Sequence, residues 1–125
     1  MHSVFRIIAE KPGRKNILPK VMNDFNAIRK ELFGEMKKYD AISATIYDGD
    51  CWEDHCIEIR KFIIFFSRVL KTYENEGLCY HIDICIKDYE DIKDRIVTSF
   101  VCETDFLKVL VDNNVSLEFS YYNTG

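Results

Sequence analysis

The sequence predicts a single α+β domain spanning residues 1–125, and three observations support that prediction. A length of 125 residues is within the usual size of one domain. Hydrophobic residues make up 47% of the chain and charged residues 30%, a balance typical of globular proteins with a buried core. Segments with alternating apolar residues, as in half-buried strands, are interspersed with segments in which apolar residues recur every three or four positions, as in amphipathic helices.

The first strand and helix are predicted between the amino terminus and residue 36. The segment Val4–Ala9, with its β-branched and aromatic residues, predicts a strand, and Lys11–Gly13 predicts a turn that ends it. Pro19 is suited to the first turn of a helix, where its missing N–H group costs nothing. The apolar positions of this helix recur at spacings of three and four. They are Val21, Phe25, Ile28, Leu32 and Met36.

A second strand and helix follow. Ala41–Tyr47 alternates and is rich in β-branched residues, so it predicts a strand, and Asp48-Gly49-Asp50 predicts a turn. From Glu53 the pattern becomes helical with one broad apolar face, and Gly77 is placed to end that helix. The apolar face consists of Ile59, Phe62, Ile63, Phe66, Val69, Leu70 and Tyr73.

The remaining elements are predicted from residue 78 onward. Leu78–Lys87 alternates strictly over ten residues, the pattern of a half-buried strand. The acidic stretch Asp88–Asp94 predicts a loop or short helical turn, and Arg95–Cys102 predicts another strand. A helix is expected from the N-cap candidate Thr104 through Asp112, followed by a final strand at Val115–Tyr122.

The predicted order is therefore βα-βαββαβ. The six elements from Ala41 to Tyr122 have the split βαβ order of a ferredoxin-like sandwich, with helices on one face of a mostly antiparallel sheet. On this prediction the first strand and helix form an N-terminal βα extension of the sandwich.

The charge distribution restricts the classes of partner. Residues 1–40 carry nine Lys and Arg against five Asp and Glu, whereas residues 41–125 carry eight against sixteen. Nucleic acids and anionic membranes need clustered cations, so we expect neither as a partner and expect a basic protein instead.

The chain also has no apolar stretch of about 18 residues for a membrane span and no signal-peptide pattern. Five Cys without framework spacing indicate reduced thiols, and we expect a cytoplasmic protein.

Soft metal ligands occur in two groups, but their spacing does not match a zinc site. Structural zinc sites usually have paired ligands two to four residues apart in two knuckles, and no CxxC motif is present. Because Cys is often buried for its apolar character alone, we expect no metal and no cofactor. The residues concerned are Cys51, His55 and Cys56 in the first group and Cys79, His81 and Cys85 in the second.

Catalytic signatures are also missing from the sequence. No Cys has a family-type local motif that would indicate a catalytic Cys–His pair, and neither a GxxxxGK[ST] loop nor a GxGxxG loop is present. The segment Ile96–Val101 contains one aromatic residue and no basic glycine-aromatic motif, unlike the corresponding strand of RNA-recognition domains. We therefore expect a protein that is not an enzyme and does not bind nucleic acid.

Two acidic clusters are the candidate partner-binding sites. Trp52 lies within the first cluster and suggests an aromatic anchor with a charged rim, which interfaces favour. The first cluster lacks the twelve-residue pattern of a calcium loop, and a solvated loop is the alternative interpretation of either cluster. The first cluster comprises Asp48, Asp50, Glu53 and Asp54, and the second comprises Asp88, Glu90, Asp91 and Asp94.

The carboxy-terminal half resembles an uncharacterised bacterial α+β domain found in small standalone proteins. The resemblance lies in an apolar helix, two strands, a short Leu-x-x-Leu helix and a closing strand ending in Tyr, and Asn113-Asn114 departs from it where a Gly is usual. The matching segments are Phe62–Leu70, Ile82–Ile86, Phe106–Leu110 and Leu117–Tyr122.

As a small acidic α+β protein without a recognisable active site, the chain also resembles bacterial toxin-immunity proteins, including those of contact-dependent inhibition systems. This resemblance is one of general type and not of a sequence motif. The resemblance implies a cytoplasmic binding protein that neutralises a basic partner, such as a nuclease toxin domain. One alternative is a small-molecule or metal-sensing regulatory module of ferredoxin-like fold that uses the Cys and His residues. A second alternative is a small enzyme whose site has no recognisable motif.

Overall fold

Four strands form one mixed sheet in the computed structural model, which describes residues 1–10, 16–34, 41–87 and 99–122. The order across the sheet is β2-β1-β3-β4; β1 is antiparallel to both of its neighbours, whereas β3 and β4 are parallel. The strands are β1 (His2–Ala9), β2 (Ala41–Asp48), β3 (Leu78–Lys87) and β4 (Val115–Tyr122).

Four helices are described, and their buried residues share one core with the sheet. No helix in the described ranges combines the length and the apolar character needed to cross a membrane. The helices are α1 (Leu18–Ile28), α2 (Trp52–Phe65), α3 (Ser67–Thr72) and α4 (Thr104–Asp112).

Strand alternation sets the face on which the core lies. Every second residue of β1 is buried, including Phe5. The ring centroid of Phe5 lies 6.0 Å from that of Phe25 in α1 and 5.1 Å from that of Phe62 in α2. The same face of β3 presents Tyr80, whose ring lies 6.2 Å from Phe5. Two helices and two strands therefore meet around one aromatic side chain, and aromatic pairs of this kind add stability beyond their buried area.

The general α+β class is confirmed, and the bounds of β3 and β4 agree with the prediction. The long helix predicted from Glu53 is divided into α2 and α3 at Phe66. Its end lies at Thr72 rather than at Gly77. Gly77 instead has φ 73° immediately before β3, a left-handed conformation that glycine adopts without steric cost.

The sheet order corrects the predicted role of the first strand. β1 is not an extension, because it lies between β2 and β3 in the interior of the sheet. The ferredoxin-like order is not confirmed, and the predicted strand Arg95–Cys102 is wrong over residues 99–102, which are not in a strand.

Glu103 rather than Thr104 is the N-cap residue of α4, without a side-chain capping bond. The Lys11–Gly13 turn and the positions Met36 and 88–98 lie outside the described residues.

Candidate functional site

The first acidic cluster lies where β2 ends and α2 begins. Asp48 ends β2, and only residues 49–51 separate it from Trp52 at the start of α2. The side chain of Asp50 is 100% exposed and that of Asp48 is 67% exposed. Glu53 and Asp54, in the first turn of α2, are exposed as well. The helix N-terminus favours these two carboxylates, because its unpaired N–H groups carry partial positive charge.

Trp52 is buried rather than exposed, unlike the aromatic anchor with a charged rim that the sequence suggests. Its side chain is only 7% exposed, and its indole N–H donates a 2.8 Å hydrogen bond to the carbonyl oxygen of Val101. The indole also packs edge-on against Phe100 and Phe106, with centroids 5.5 and 6.0 Å away. Trp52 therefore links Phe100 and Val101 to the start of α2.

His55 fixes the loop between β2 and α2 through a hydrogen bond from the core side. The imidazole is completely buried; its Nε2–H group donates a 2.7 Å hydrogen bond to the Gly49 carbonyl, and its Nδ1 accepts the hydroxyl proton of Ser3. The N–H of Gly49 in turn donates to the carbonyl of Met1 at 3.0 Å. Ser3 is also completely buried, so this Ser–His pair ties the loop to β1 and presents no accessible nucleophile.

Burial also sets the charge of His55. Desolvation lowers the pKa of the imidazole below its ordinary value of 6.5, and the hydrogen bond to Gly49 and the charges of Asp48 and Asp54 only partly oppose that shift. At neutral pH His55 is therefore uncharged, and it does not neutralise the carboxylates above it.

Local contacts favour the ionised form of Glu53. The pKa of Glu53 is lowered by its own backbone N–H and by the Cys51 thiol, which donates to the carboxylate at 3.2 Å. Two of the acids have basic groups as neighbours at the edge of the cluster. Asp48 lies 3.1 Å from the imidazole of His2, and Asp50 lies 3.5 Å from the amino group of Met1. In the described part of the chain, no cation lies within 4 Å of Glu53 or Asp54.

The structure adds residues that sequence spacing could not supply. The pKa of the Cys56 thiol is raised to about 11, first by burial and then by the nearby charges of Cys102, Glu53 and Glu103. Glu103 therefore extends the acidic cluster although it lies 50 residues further along the chain. Exposed apolar side chains accompany these acids, with Ile57 49% and Val101 66% exposed.

We call this set the acidic surface. It arises because the Trp52 indole binds the Val101 carbonyl at the start of α2 and Glu103 lies near Cys56, an arrangement with no signal in the local sequence pattern. The acidic surface comprises Asp48, Asp50, Glu53, Asp54, Glu103, Ile57 and Val101. The second predicted cluster of Asp88, Glu90, Asp91 and Asp94 lies outside the described residues.

The Cys and His residues are not gathered into a ligand set. Over the ranges that the structure describes, no three His, Cys, Asp or Glu side chains are placed to hold a metal ion. His81 instead pairs with Glu118 at 2.5 Å on the other face of the sheet. On that face the guanidinium of Arg6 also donates a 2.8 Å hydrogen bond to the buried carboxylate of Asp83, and this ion pair joins β1 to β3. These pairs link neighbouring strands.

Comparison of the chain with protein-family models, with curated proteins and with solved structures finds no match. The surfaces of the chain itself therefore carry the functional argument.

Proposed function

We propose that this chain is a binding protein that neutralises a basic protein partner, and that it acts as an immunity protein against a bacterial toxin domain. The observation that carries the proposal is that exposed carboxylates lie on a backbone segment fixed by buried side chains. Trp52 and His55 are buried, while Asp50, Glu53 and Asp54 beside them are exposed. A loop fixed in this way loses little conformational entropy on binding, so more of the contact energy contributes to affinity.

The composition of the acidic surface matches the usual anatomy of a protein interface. Interfaces combine apolar contacts with a polar rim, and the exposed side chains of Ile57 and Val101 can supply the former beside the carboxylates. The charges would accelerate encounter with a cationic partner and disfavour acidic competitors.

A nuclease toxin is the partner class that this surface suits best. Nucleases bind phosphates through clustered Lys and Arg, so their active-site surfaces are basic. Carboxylates at the start of α2 could pair with those cations and exclude the nucleic acid substrate. On this proposal the protein acts in the bacterial cytoplasm without catalysis or a cofactor of its own.

Affinity capture tests the proposal. Wild-type protein serves as bait in a lysate of a bacterium that encodes the chain, beside an Asp50→Lys, Glu53→Lys variant. A Glu74→Lys, Asp112→Lys variant is the matched control, because it changes two exposed acids by the same charge at other sites. We expect one basic protein to be captured by the wild type and the control but not by the acidic-surface variant. Equal capture by all three, or capture of an acidic partner only, would contradict the proposal.

A further inference from the structure

The outer face of α2 carries a charge pattern that is complementary to itself. Ile57 is half exposed, with the exposed acids Glu53 and Asp54 four and three residues before it. The exposed cations Arg60 and Lys61 follow three and four residues after it. Residues three or four apart lie on neighbouring parts of one helix face. The face therefore runs from negative to positive about a central apolar side chain.

From this pattern we infer that the protein forms a homodimer in which α2 packs antiparallel against α2 of a second copy, with Ile57 at the two-fold axis. Antiparallel packing places the acidic end of each helix against the basic end of the other. Glu53 and Asp54 of one copy would then face Lys61 and Arg60 of the second copy. The contact is isologous, as in the commonest symmetric dimers.

The cations of this face are available for such a contact. Among the described residues, Lys61 pairs only with Glu58 of its own helix, at 3.6 Å and with a side chain that is 70% exposed. Exposed pairs of this spacing are weak. No carboxylate of the described residues lies within 4 Å of Arg60. Few intramolecular ion pairs would thus be lost on association.

The size of the contact predicts a reversible dimer. A helix of 14 residues is about 21 Å long. One pair of such helices buries less than the roughly 1,600 Å² of a standard interface, so the dimer should be weak and sensitive to salt. Because Glu53 and Asp54 also belong to the acidic surface, dimerisation would compete with the basic partner. That consequence alone rests on the proposed function.

Charge-swap variants test the dimer without any partner. One variant carries Glu53→Lys with Asp54→Lys, and the other carries Arg60→Glu with Lys61→Glu. Each alone places like charges at both ends of the helix pair, whereas an equimolar mixture restores opposite charges at both ends. An exposed ion pair contributes about two-fold in affinity, and each variant replaces the four pairs of the symmetric contact with like charges, so we expect each variant to associate about 16-fold or more weakly.

Sedimentation velocity over a range of protein concentrations, at low and high salt, gives the readout. We expect the wild type to dimerise reversibly, each variant to be monomeric, the mixture to form a heterodimer, and a Lys87→Glu, Lys108→Glu control to behave as the wild type. Circular dichroism checks folding, and Arg60→Gln with Lys61→Gln replaces any variant that loses helix. A monomeric wild type, a dimer unaffected by both variants, or a mixture that stays monomeric would overturn the inference.

Discussion

The indole of Trp52 stacks against the imidazole of His55, with ring centroids 6.4 Å apart and ring planes inclined by 20°. Both side chains are buried, and the exposed acids Glu53 and Asp54 lie between them in the sequence. The first turn of α2 is thus fixed to the core on one side and presents carboxylates on the other.

Stability should fall in mild acid because of His55. Its pKa is lower in the folded state than its ordinary value of 6.5, so the folded protein binds this proton less tightly than the unfolded chain does. The contribution of His55 is fully present above the unfolded pKa. It is lost as the pH falls below about 6.5, until the folded pKa is passed.

Urea denaturation at a series of pH values measures this effect. A His55→Asn variant should be less stable at neutral pH but should show a smaller decrease between about pH 7 and pH 5, where an unperturbed His titrates. His81→Gln is the control, because His81 lies on the other face of the sheet and pairs with Glu118. An undiminished decrease in the His55→Asn variant would show that another group is responsible.

Trp52→Phe should separate the hydrogen bond of the indole from its packing. Phe retains an aromatic ring but cannot donate to the Val101 carbonyl, so we expect a loss of about 1 kcal/mol in unfolding free energy plus the effect of the smaller ring. Amide hydrogen exchange in residues 99–103 should accelerate more than exchange in β3. Unchanged exchange in this segment would mean that Trp52 does not hold it in place.

Two adjacent phenylalanines provide a matched test of the core. Phe66 is completely buried and Phe65 is 56% exposed, although the Arg29 guanidinium lies 5.4 Å from the centroid of each ring. Phe66→Ala should cost about 3–5 kcal/mol, because it removes buried surface and leaves a cavity. Phe65→Ala should cost about 1 kcal/mol or less, mainly through loss of the cation–π contact. Chemical denaturation giving equal losses would contradict the described orientation of α2.

The elements with long, regular patterns could be predicted from the sequence. The ten alternating residues of β3 and the eight of β4 specify strands, because one face of each must pack on the core. The order of strands could not be read in the same way. Pairing β1 with both β2 and β3 depends on contacts between residues about 40 and 80 positions apart, and those contacts leave no local periodicity.

The acidic surface was predicted in part. Asp48, Asp50, Glu53 and Asp54 are exposed, as a run of acids at the start of a helix suggests. Trp52 was assigned to the wrong side, because sequence neighbours on a helix point about 100° apart and the indole faces the core while Glu53 does not. Glu103 was missed since only the folded chain brings it near Cys56 of α2.

Association kinetics with the captured basic partner test the central claim most directly. The measurement compares wild type with the Asp50→Lys, Glu53→Lys variant at low and high ionic strength, with Glu74→Lys, Asp112→Lys as the control. We predict a wild-type association rate constant that falls as salt rises, because added ions screen exposed charges. The acidic-surface variant should associate about ten-fold or more slowly at low salt, whereas the control should resemble the wild type. A rate constant equal to that of the wild type in the acidic-surface variant would contradict the account.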